Sequence, residues 1–157
     1  MTVILSIDPS SNKATKSNTG IVLIKNGKLL DHWCLPFGVK GFKEWYKAVG
    51  SSLKPDVVVV EQFEVRDNDK AKDNSVLETI DFIKTCYPDL ILQRNAGYQT
   101  DVPDELLKAL GLWRFGKSHH QDVRAAARLA IFYAMRNDIE DFVTGVGRIV
   151  NGNMEKH

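Results

Sequence analysis

A short and wholly apolar run, the four valines at positions 57–60, constrains the fold of this chain more than any other segment. Such a run predicts a β-strand that is covered on both faces, as in a sheet with helices packed on both sides. The run ends in Glu61, and an earlier apolar run, VILSID, ends in Asp8. Because charge beside a protein core is costly, two acids at such strand ends predict a compensating partner, with a divalent metal ion as the leading candidate.

The size and composition of the chain suit a single folded domain over residues 1–157. A chain of 157 residues can bury a real core, and a hydrophobic content of 43% excludes a disordered protein. The 21 basic and 20 acidic side chains give a net charge of +1, so only a local patch can indicate a nucleic-acid partner. Two cysteines, Cys34 and Cys86, are too few for a disulfide framework and predict reduced thiols in a reducing compartment.

The sequence contains no segment that predicts a membrane protein or a secreted one. No apolar run approaches the roughly 20 residues that cross a bilayer. The N-terminus lacks the basic region and long apolar stretch of a signal peptide. We therefore expect a soluble, cytoplasmic protein with no membrane partner.

Apolar periodicity and turn signals divide the chain into alternating strands and helices. Asn26-Gly27 predicts a two-residue hairpin, and Ser75 with Glu78 has the spacing of a helix capping box. Gly145 and Gly147 interrupt the last predicted helix. The predicted strands cover residues 2–8, 21–24, 28–35, 56–61 and 90–93, and the predicted helices cover 39–53, 75–88, 103–110, 119–136 and 138–149.

Three hairpin-linked strands followed by strands that alternate with helices predict a mixed five-stranded α/β sheet with helices on its faces. This is the element order of the ribonuclease H-like fold. In the usual strand order of that fold, the first and fourth strands are parallel neighbours. Asp8 and Glu61 would then lie side by side at the carboxyl ends of the strands, where α/β sheets commonly bind ligands.

The start of the long helix carries two further candidate site residues. His119 and Asp122 are three positions apart, so they project from one helix face. Carboxylate oxygens at Asp8, Glu61 and Asp122 suit Mg²⁺, with Mn²⁺ as a substitute. Two such ions about 3.5–4 Å apart can hydrolyse a phosphodiester bond. His119 is expected either to bind metal or to carry a proton near neutral pH.

Three segments of the chain resemble the active-site segments of RuvC-type Holliday junction resolvases, which have the ribonuclease H-like fold. The segments are IDPSSNKATKSNTG, VVVVEQF and HHQDVRAAARLAI. The resemblance implies metal ligands at Asp8, Glu61, His119 and Asp122, and a branched DNA substrate such as a four-way junction or a fork. The short chain and the divergent region 62–118 are more typical of a phage-encoded relative, which would act in the host cytoplasm.

Local basic residues predict the DNA contacts. The segment from Lys108 to Arg128 carries five basic side chains and one acid, Asp122, and such side chains can hold phosphates. In the resembling family an aromatic residue near Phe63 can insert at the junction centre, although a core role is equally plausible. Trp113 and Phe115 suit either a base platform or a lid on the core. The predicted contacts are Lys13, Lys16, Phe63, Arg66, Arg114, Lys117 and Arg124.

We therefore expect a magnesium-dependent, structure-selective DNA endonuclease. Symmetric cleavage of a two-fold junction needs two active sites, which predicts a homodimer. The helix bearing Val76, Ile80 and Ile83 is one candidate for the interface, although burial within the monomer explains it equally well. Three alternatives are a nuclease for RNA-DNA hybrids, a junction-binding module that does not cut, and an actin-like ATPase or kinase, for which the chain lacks a second lobe.

Overall fold

Five strands form one mixed sheet in the order β3-β2-β1-β4-β5. The computed structural model describes residues 2–12, 18–63, 75–115 and 120–155. The strands are β1 (Val3–Asp8), β2 (Thr19–Lys25), β3 (Lys28–Leu35), β4 (Val57–Glu61) and β5 (Ile91–Gln93). The helices are α1 (Gly38–Ala48), α2 (Val76–Cys86), α3 (Tyr98–Asp101), α4 (Asp104–Ala109), α5 (His120–Arg136) and α6 (Glu140–Glu155), with a 3₁₀ turn at Gly50–Ser52.

The pairing of the strands confirms the arrangement predicted from the sequence. β1 and β2 are antiparallel, as are β2 and β3, whereas β4 runs parallel to both β1 and β5. At the β2-β3 turn, Asn26 and Gly27 have φ angles of 53° and 85°. A two-residue hairpin turn of this kind needs positive φ at both positions, which Asn and Gly adopt at low cost. The fold class is therefore the predicted mixed five-stranded α/β sheet.

Helices cover both faces of this sheet, and β4 shows why its sequence is apolar throughout. Val59 is fully buried in the core that lies beneath α5. Val58 and Val60 point to the other face and pack in the core formed with α1 and α2. Successive side chains of a strand alternate between faces, so a strand covered on both sides has no position for a polar residue.

The helices depart from the prediction in three places. The first predicted helix ends at Ala48 and is followed by the 3₁₀ turn. The sequence analysis missed α3, which is only four residues long. The last helix runs through Gly145 to Glu155, and Gly145 lies against the backbone carbonyl of Asn26, where a Cβ atom would overlap. None of the helices in the described ranges is long and apolar enough to cross a membrane.

The predicted capping box at Ser75 and Glu78 is wrong, because both side chains bind Asn12 instead. The Ser75 side chain makes no cap hydrogen bond to the helix. Its Oγ accepts from the backbone N–H of Asn12 at 2.8 Å, and Glu78 Oε2 accepts from Asn12 Nδ2 at 2.6 Å. Asn12 Oδ1 also accepts from the N–H of Val39 at 3.0 Å. Asn12 therefore ties the segment after β1 to the starts of both α1 and α2.

The helix suggested as a dimer interface contributes its main apolar residues to the monomer core. Ile80 and Ile83 of α2 are 4% and 0% exposed and pack against α1 and the sheet. Val76 is only half-buried. The two cysteines lie in different elements, Cys34 in β3 and Cys86 in α2, and no disulfide joins them.

Candidate active site

Asp8 and Glu61 meet because of the register between two parallel strands. Ile7 of β1 pairs with Val60 of β4, so the next residue of each strand is an acid at the carboxyl end of the sheet. The two carboxyl groups share a side-chain hydrogen bond. The sequence prediction that these two residues lie side by side is thus confirmed by the structure as a matter of position.

Asp122 is brought to the same place by the packing of α5 across β1 and β2. Ser6 Oγ donates to the carbonyl of Ala126 at 2.7 Å and ties α5 to β1. Gly20 is the β2 partner of Asp8. A Cβ atom at Gly20 would overlap the backbone carbonyl of Asp122. The missing side chain therefore lets the first turn of α5 lie directly on the sheet beside Asp8.

The charges of Glu61 and Asp122 both act on the carboxyl group of Asp8. The pKa of Asp8 is raised well above its usual value. Burial is the largest cause, followed by the hydrogen bond and the charge of Glu61, and then by the charge of Asp122. Burial and neighbouring negative charges both disfavour the ionised form of a carboxyl group. A cation bound among these side chains would relieve both effects.

The donor chemistry of this cluster fits a divalent metal, although the side chains do not form a complete cage. Three carboxylates supply the hard oxygen ligands that Mg²⁺ prefers, and Mg²⁺ retains several of its own waters. In the part of the chain that the structure describes, no three His, Cys, Asp or Glu side chains are close enough to hold an ion as they stand. His119, the predicted fourth ligand, lies outside the described residues.

Two residues that the sequence analysis missed border the acids. Asn95 Nδ2 donates to Glu61 Oε1 at 2.5 Å. Burial, and then the charges of Glu61 and Asp8, raise the pKa of Tyr98 to about 12, partly offset by Arg128. Both residues follow β5, whose last residue pairs with Glu61. Their position after a parallel strand next to β4 was the one sequence signal that pointed to them.

Comparisons with known proteins identify the fold but no sequence relative. Neither the protein-family profiles nor the curated proteins contain a match to this sequence. The solved structure of T. thermophilus RuvC in complex with a Holliday junction substrate matches with a TM-score of 0.66. The match covers 90% of this chain and 98% of that chain at 16% sequence identity. This chain has a RuvC-like fold. At that identity the likeness shows the fold alone.

In this RuvC-like fold, Arg128 does not belong to the exposed basic patch that the sequence suggested. Its side chain is 8% exposed and pairs with Asp104 Oδ1 at 2.6 Å. Nη1 also donates to the carbonyl of Val102 at 2.7 Å, and the guanidinium lies 5.6 Å from the ring centroid of Tyr98. Arg128 therefore binds the segment containing α3 and α4 to α5, and through Tyr98 it supports one wall of the acid cluster.

Of the predicted DNA contacts that the structure describes, some are exposed and others pack against neighbouring residues. Arg114 is exposed, whereas Arg124 is half-buried against Trp113. Phe63 is half-buried and packs on the core beside α1 and α2. Phe115 is 1% exposed and packs in the core beneath α5, so its ring is not accessible to a base in this structure. The residues outside the described ranges are Lys13, Lys16, Arg66 and Lys117.

Proposed function

We propose that this protein is a metal-dependent DNA endonuclease that resolves four-way (Holliday) junctions, with forked DNA as a second substrate. One observation carries the proposal: Asp8 and Glu61 are in contact at the ends of parallel strands, within the electrostatic range of Asp122. Such a cluster is unfavourable without a cation and chemically suited to one. The likeness to a RuvC structure that contains a Holliday junction supports the choice of substrate.

The mechanism assigns a separate task to each of these side chains. When bound, Mg²⁺ or Mn²⁺ would activate the attacking water and stabilise charge on the leaving oxygen. Asp8 lies between the other two acids in this assignment, and Glu61 and Asp122 complete the metal-binding set. Asn95 fixes the orientation of the Glu61 carboxylate through its 2.5 Å hydrogen bond. His119 either binds metal or moves a proton near neutral pH.

The active unit is proposed to be a homodimer. Two cuts related by the two-fold symmetry of a junction require two active sites in one complex. Because Ile80 and Ile83 of α2 are buried within the monomer, an interface on α2 would have to use its more exposed residues. Analytical ultracentrifugation should give a dimer, and a monomer both with and without junction DNA would contradict this proposal.

Cleavage of a labelled synthetic four-way junction tests the function directly. The assay places the junction beside a fork, a linear duplex and an RNA-DNA hybrid, in Mg²⁺ and in Mn²⁺. Paired nicks near the crossover should appear with the wild type and be lost in Asp122→Asn. A hybrid cut in preference to the junction would instead assign the protein to the RNA-DNA hybrid nucleases. If the protein binds junctions but leaves them intact in both Mg²⁺ and Mn²⁺, it is a junction-binding module that does not cut.

Removal of the Asn95 side chain should impair the site without unfolding the protein. Asn95 is exposed, and its side-chain contact is the hydrogen bond to Glu61. Partners that orient a metal ligand typically contribute about 10–100-fold in metal affinity or activity. Asn95→Ala should therefore lower the cleavage rate and the Mn²⁺ affinity, measured by calorimetric titration, by about that factor.

Gln99→Ala is the matched control for Asn95→Ala. Gln99 lines the same small cavity of about 410 Å³ as Asn95. It is exposed, and it makes no hydrogen bond to Glu61. This variant should retain wild-type rate and Mn²⁺ affinity. Equal behaviour of the two variants would show that Asn95 does not position Glu61.

The sequence prediction of a phage-encoded protein remains a proposal about origin. It rests on the chain length of 157 residues and on the divergent segment between Gln62 and the start of α5. The RuvC-like fold is compatible with this origin and does not depend on it.

A further inference from the structure

A concave basic surface lies where α4, the loop after it and the first turns of α5 meet. We define the Trp113 surface as Lys108, Trp113, Arg114 and Arg124. Lys108, Trp113 and Arg114 line a shallow cavity of about 500 Å³ together with Gly111. Arg124 adjoins this cavity through its contact with Trp113. Arg124 lies on α5 two positions after Asp122, so the two residues are close along the helix axis, but their side chains leave α5 about 200° apart around that axis.

The indole ring of Trp113 holds two of the three cations of this surface. The guanidinium carbon of Arg124 lies 3.7 Å from the ring centroid, and Lys108 Nζ lies 4.7 Å from it. Both distances are within the range of a cation–π attraction. Arg124 Nε also donates to the backbone carbonyl of Trp113. The Arg124 side chain is therefore fixed by two independent contacts to one residue.

Anionic partners for these cations are scarce within the chain. Among the described residues, no carboxylate forms a salt bridge with Lys108, Arg114 or Arg124. Asp104, one turn before Lys108 on α4, is occupied by Arg128 at 2.6 Å. Three cations around one shallow cavity, two of them over the same neutral ring, repel one another, so the surface is complementary to an external anion with several negative charges.

The geometry argues against a base platform at Trp113. A nucleobase stacks on an aromatic ring through its face. The face of Trp113 that Arg124 covers is not accessible to a base, because the guanidinium already lies 3.7 Å from the ring centroid. Trp113 is also half-buried and packs against the α5-side core. Its exposed neighbours Lys108 and Arg114, by contrast, are cationic side chains of the kind that can hold phosphates.

We infer that the Trp113 surface binds the phosphate backbone of a DNA arm, and that Trp113 acts by holding Lys108 and Arg124 in place. The inference rests on the proposed function, because it takes branched DNA as the ligand. Phosphate contacts fix the register of a protein on DNA without reading its sequence. Arg124 and Asp122 both belong to the start of α5, so a DNA backbone held here lies within one helical turn of Asp122 along the axis, with the two side chains on different faces of the helix.

The salt dependence of DNA binding distinguishes a cation-holding Trp113 from a stacking one. Fluorescence anisotropy would measure the binding of a labelled four-way junction in Ca²⁺ over a series of salt concentrations. Each phosphate contact contributes about 0.9 to the slope of log K against log salt. Lys108→Ala removes one phosphate contact and should reduce the magnitude of this slope by about one. Trp113→Ala should lower it by about one to two and weaken binding roughly tenfold, although it removes no charge.

Two variants provide the controls for this series. Trp113→Phe preserves an aromatic face and should restore most of the affinity and slope, provided that thermal unfolding shows it to be folded. Lys47→Ala removes an exposed lysine from α1, on the opposite face of the sheet, and should bind as the wild type does. Weaker binding by Trp113→Ala with an unchanged salt slope would assign the ring to base stacking and overturn the inference. Unchanged binding by both Lys108→Ala and Trp113→Ala would also overturn it.

Junction cleavage by the wild type, assayed in parallel in Mg²⁺, separates this inference from the proposed function. If the wild type binds DNA and the variants weaken binding as expected, but no junction is cut, the proposed function is contradicted and the assignment of the Trp113 surface is supported. A wild type that cuts junctions while all surface variants bind normally would support the proposed function and contradict the assignment of the Trp113 surface. A wild type that binds no DNA would overturn both.

Discussion

Asp8→Asn should abolish junction cleavage while leaving junction binding intact. The substitution keeps the shape of the side chain but removes the central negative charge of the acid cluster. Metal-bound charge stabilisation contributes several kcal/mol to phosphodiester hydrolysis, so the single-turnover rate should fall by about 10³-fold. Binding in EDTA should not weaken, because without a metal ion the Asp8 carboxylate repels the DNA phosphates. Undiminished cleavage would remove Asp8 from the catalytic set.

The same variant should be more stable than the wild type in metal-free buffer. Asp8 is desolvated and lies in hydrogen-bond contact with Glu61, so its charge opposes folding at neutral pH. A neutral amide can donate to Glu61 and removes the like-charge repulsion. Thermal unfolding in EDTA at pH 7 should therefore show a higher Tm for Asp8→Asn. The exposed Asp89 supplies the control Asp89→Asn, for which neither Tm nor cleavage should change.

Gly20→Ala should impair both stability and cleavage, because the added methyl group meets the backbone at the start of α5. A Cβ atom at Gly20 would overlap the carbonyl of Asp122 and approach Val123 N to 2.9 Å, and a helix backbone cannot rotate aside as a side chain can. Overpacking of this kind costs about 1–3 kcal/mol. The start of α5 must shift, and a displacement of about 1 Å at a catalytic group can lower the rate by about 100-fold.

Gly147→Ala is the matched control for Gly20→Ala. Gly147 lies in α6, and nothing is within 4 Å of the place where its Cβ atom would be. Alanine favours a helix over glycine by up to about 1 kcal/mol, so this variant should be as stable as the wild type or more so, with full activity. Cleavage by Gly20→Ala at the wild-type rate, measured below its Tm, would show that the contact between Gly20 and α5 does not position Asp122.

The sheet was predictable from the sequence because its signals are local. Alternating or continuous apolar runs, the Asn26-Gly27 turn and the helices between the later strands restrict the chain to one familiar strand order. The end of each apolar run also marked the carboxyl edge of the sheet, which led to Asp8 and Glu61. These are properties of short segments, and they hold in any structure that buries the runs.

The side-chain partners were not predictable in the same way. Ser75 and Glu78 have the spacing of a capping box, yet both bind Asn12, which is 63 residues from Ser75 in the chain. Arg128 has the sequence context of a surface cation, yet it is buried against Asp104 and Val102. In both cases a partner from a distant part of the chain decides the role of the side chain, and for Arg128 that partner also buries the guanidinium.

The ribonuclease H-like strand order and the acids at the ends of β1 and β4 follow from the pattern of apolar runs and turns in the sequence. The distance of the third acid from the other two follows from packing between elements, since it depends on the bare backbone of Gly20 beneath α5. The tertiary structure also decided that Asn95 orients Glu61 and that Trp113 gathers Lys108 and Arg124. Periodicity in a sequence reports which face of an element is buried, whereas contacts between distant elements depend on the packed distances between backbones.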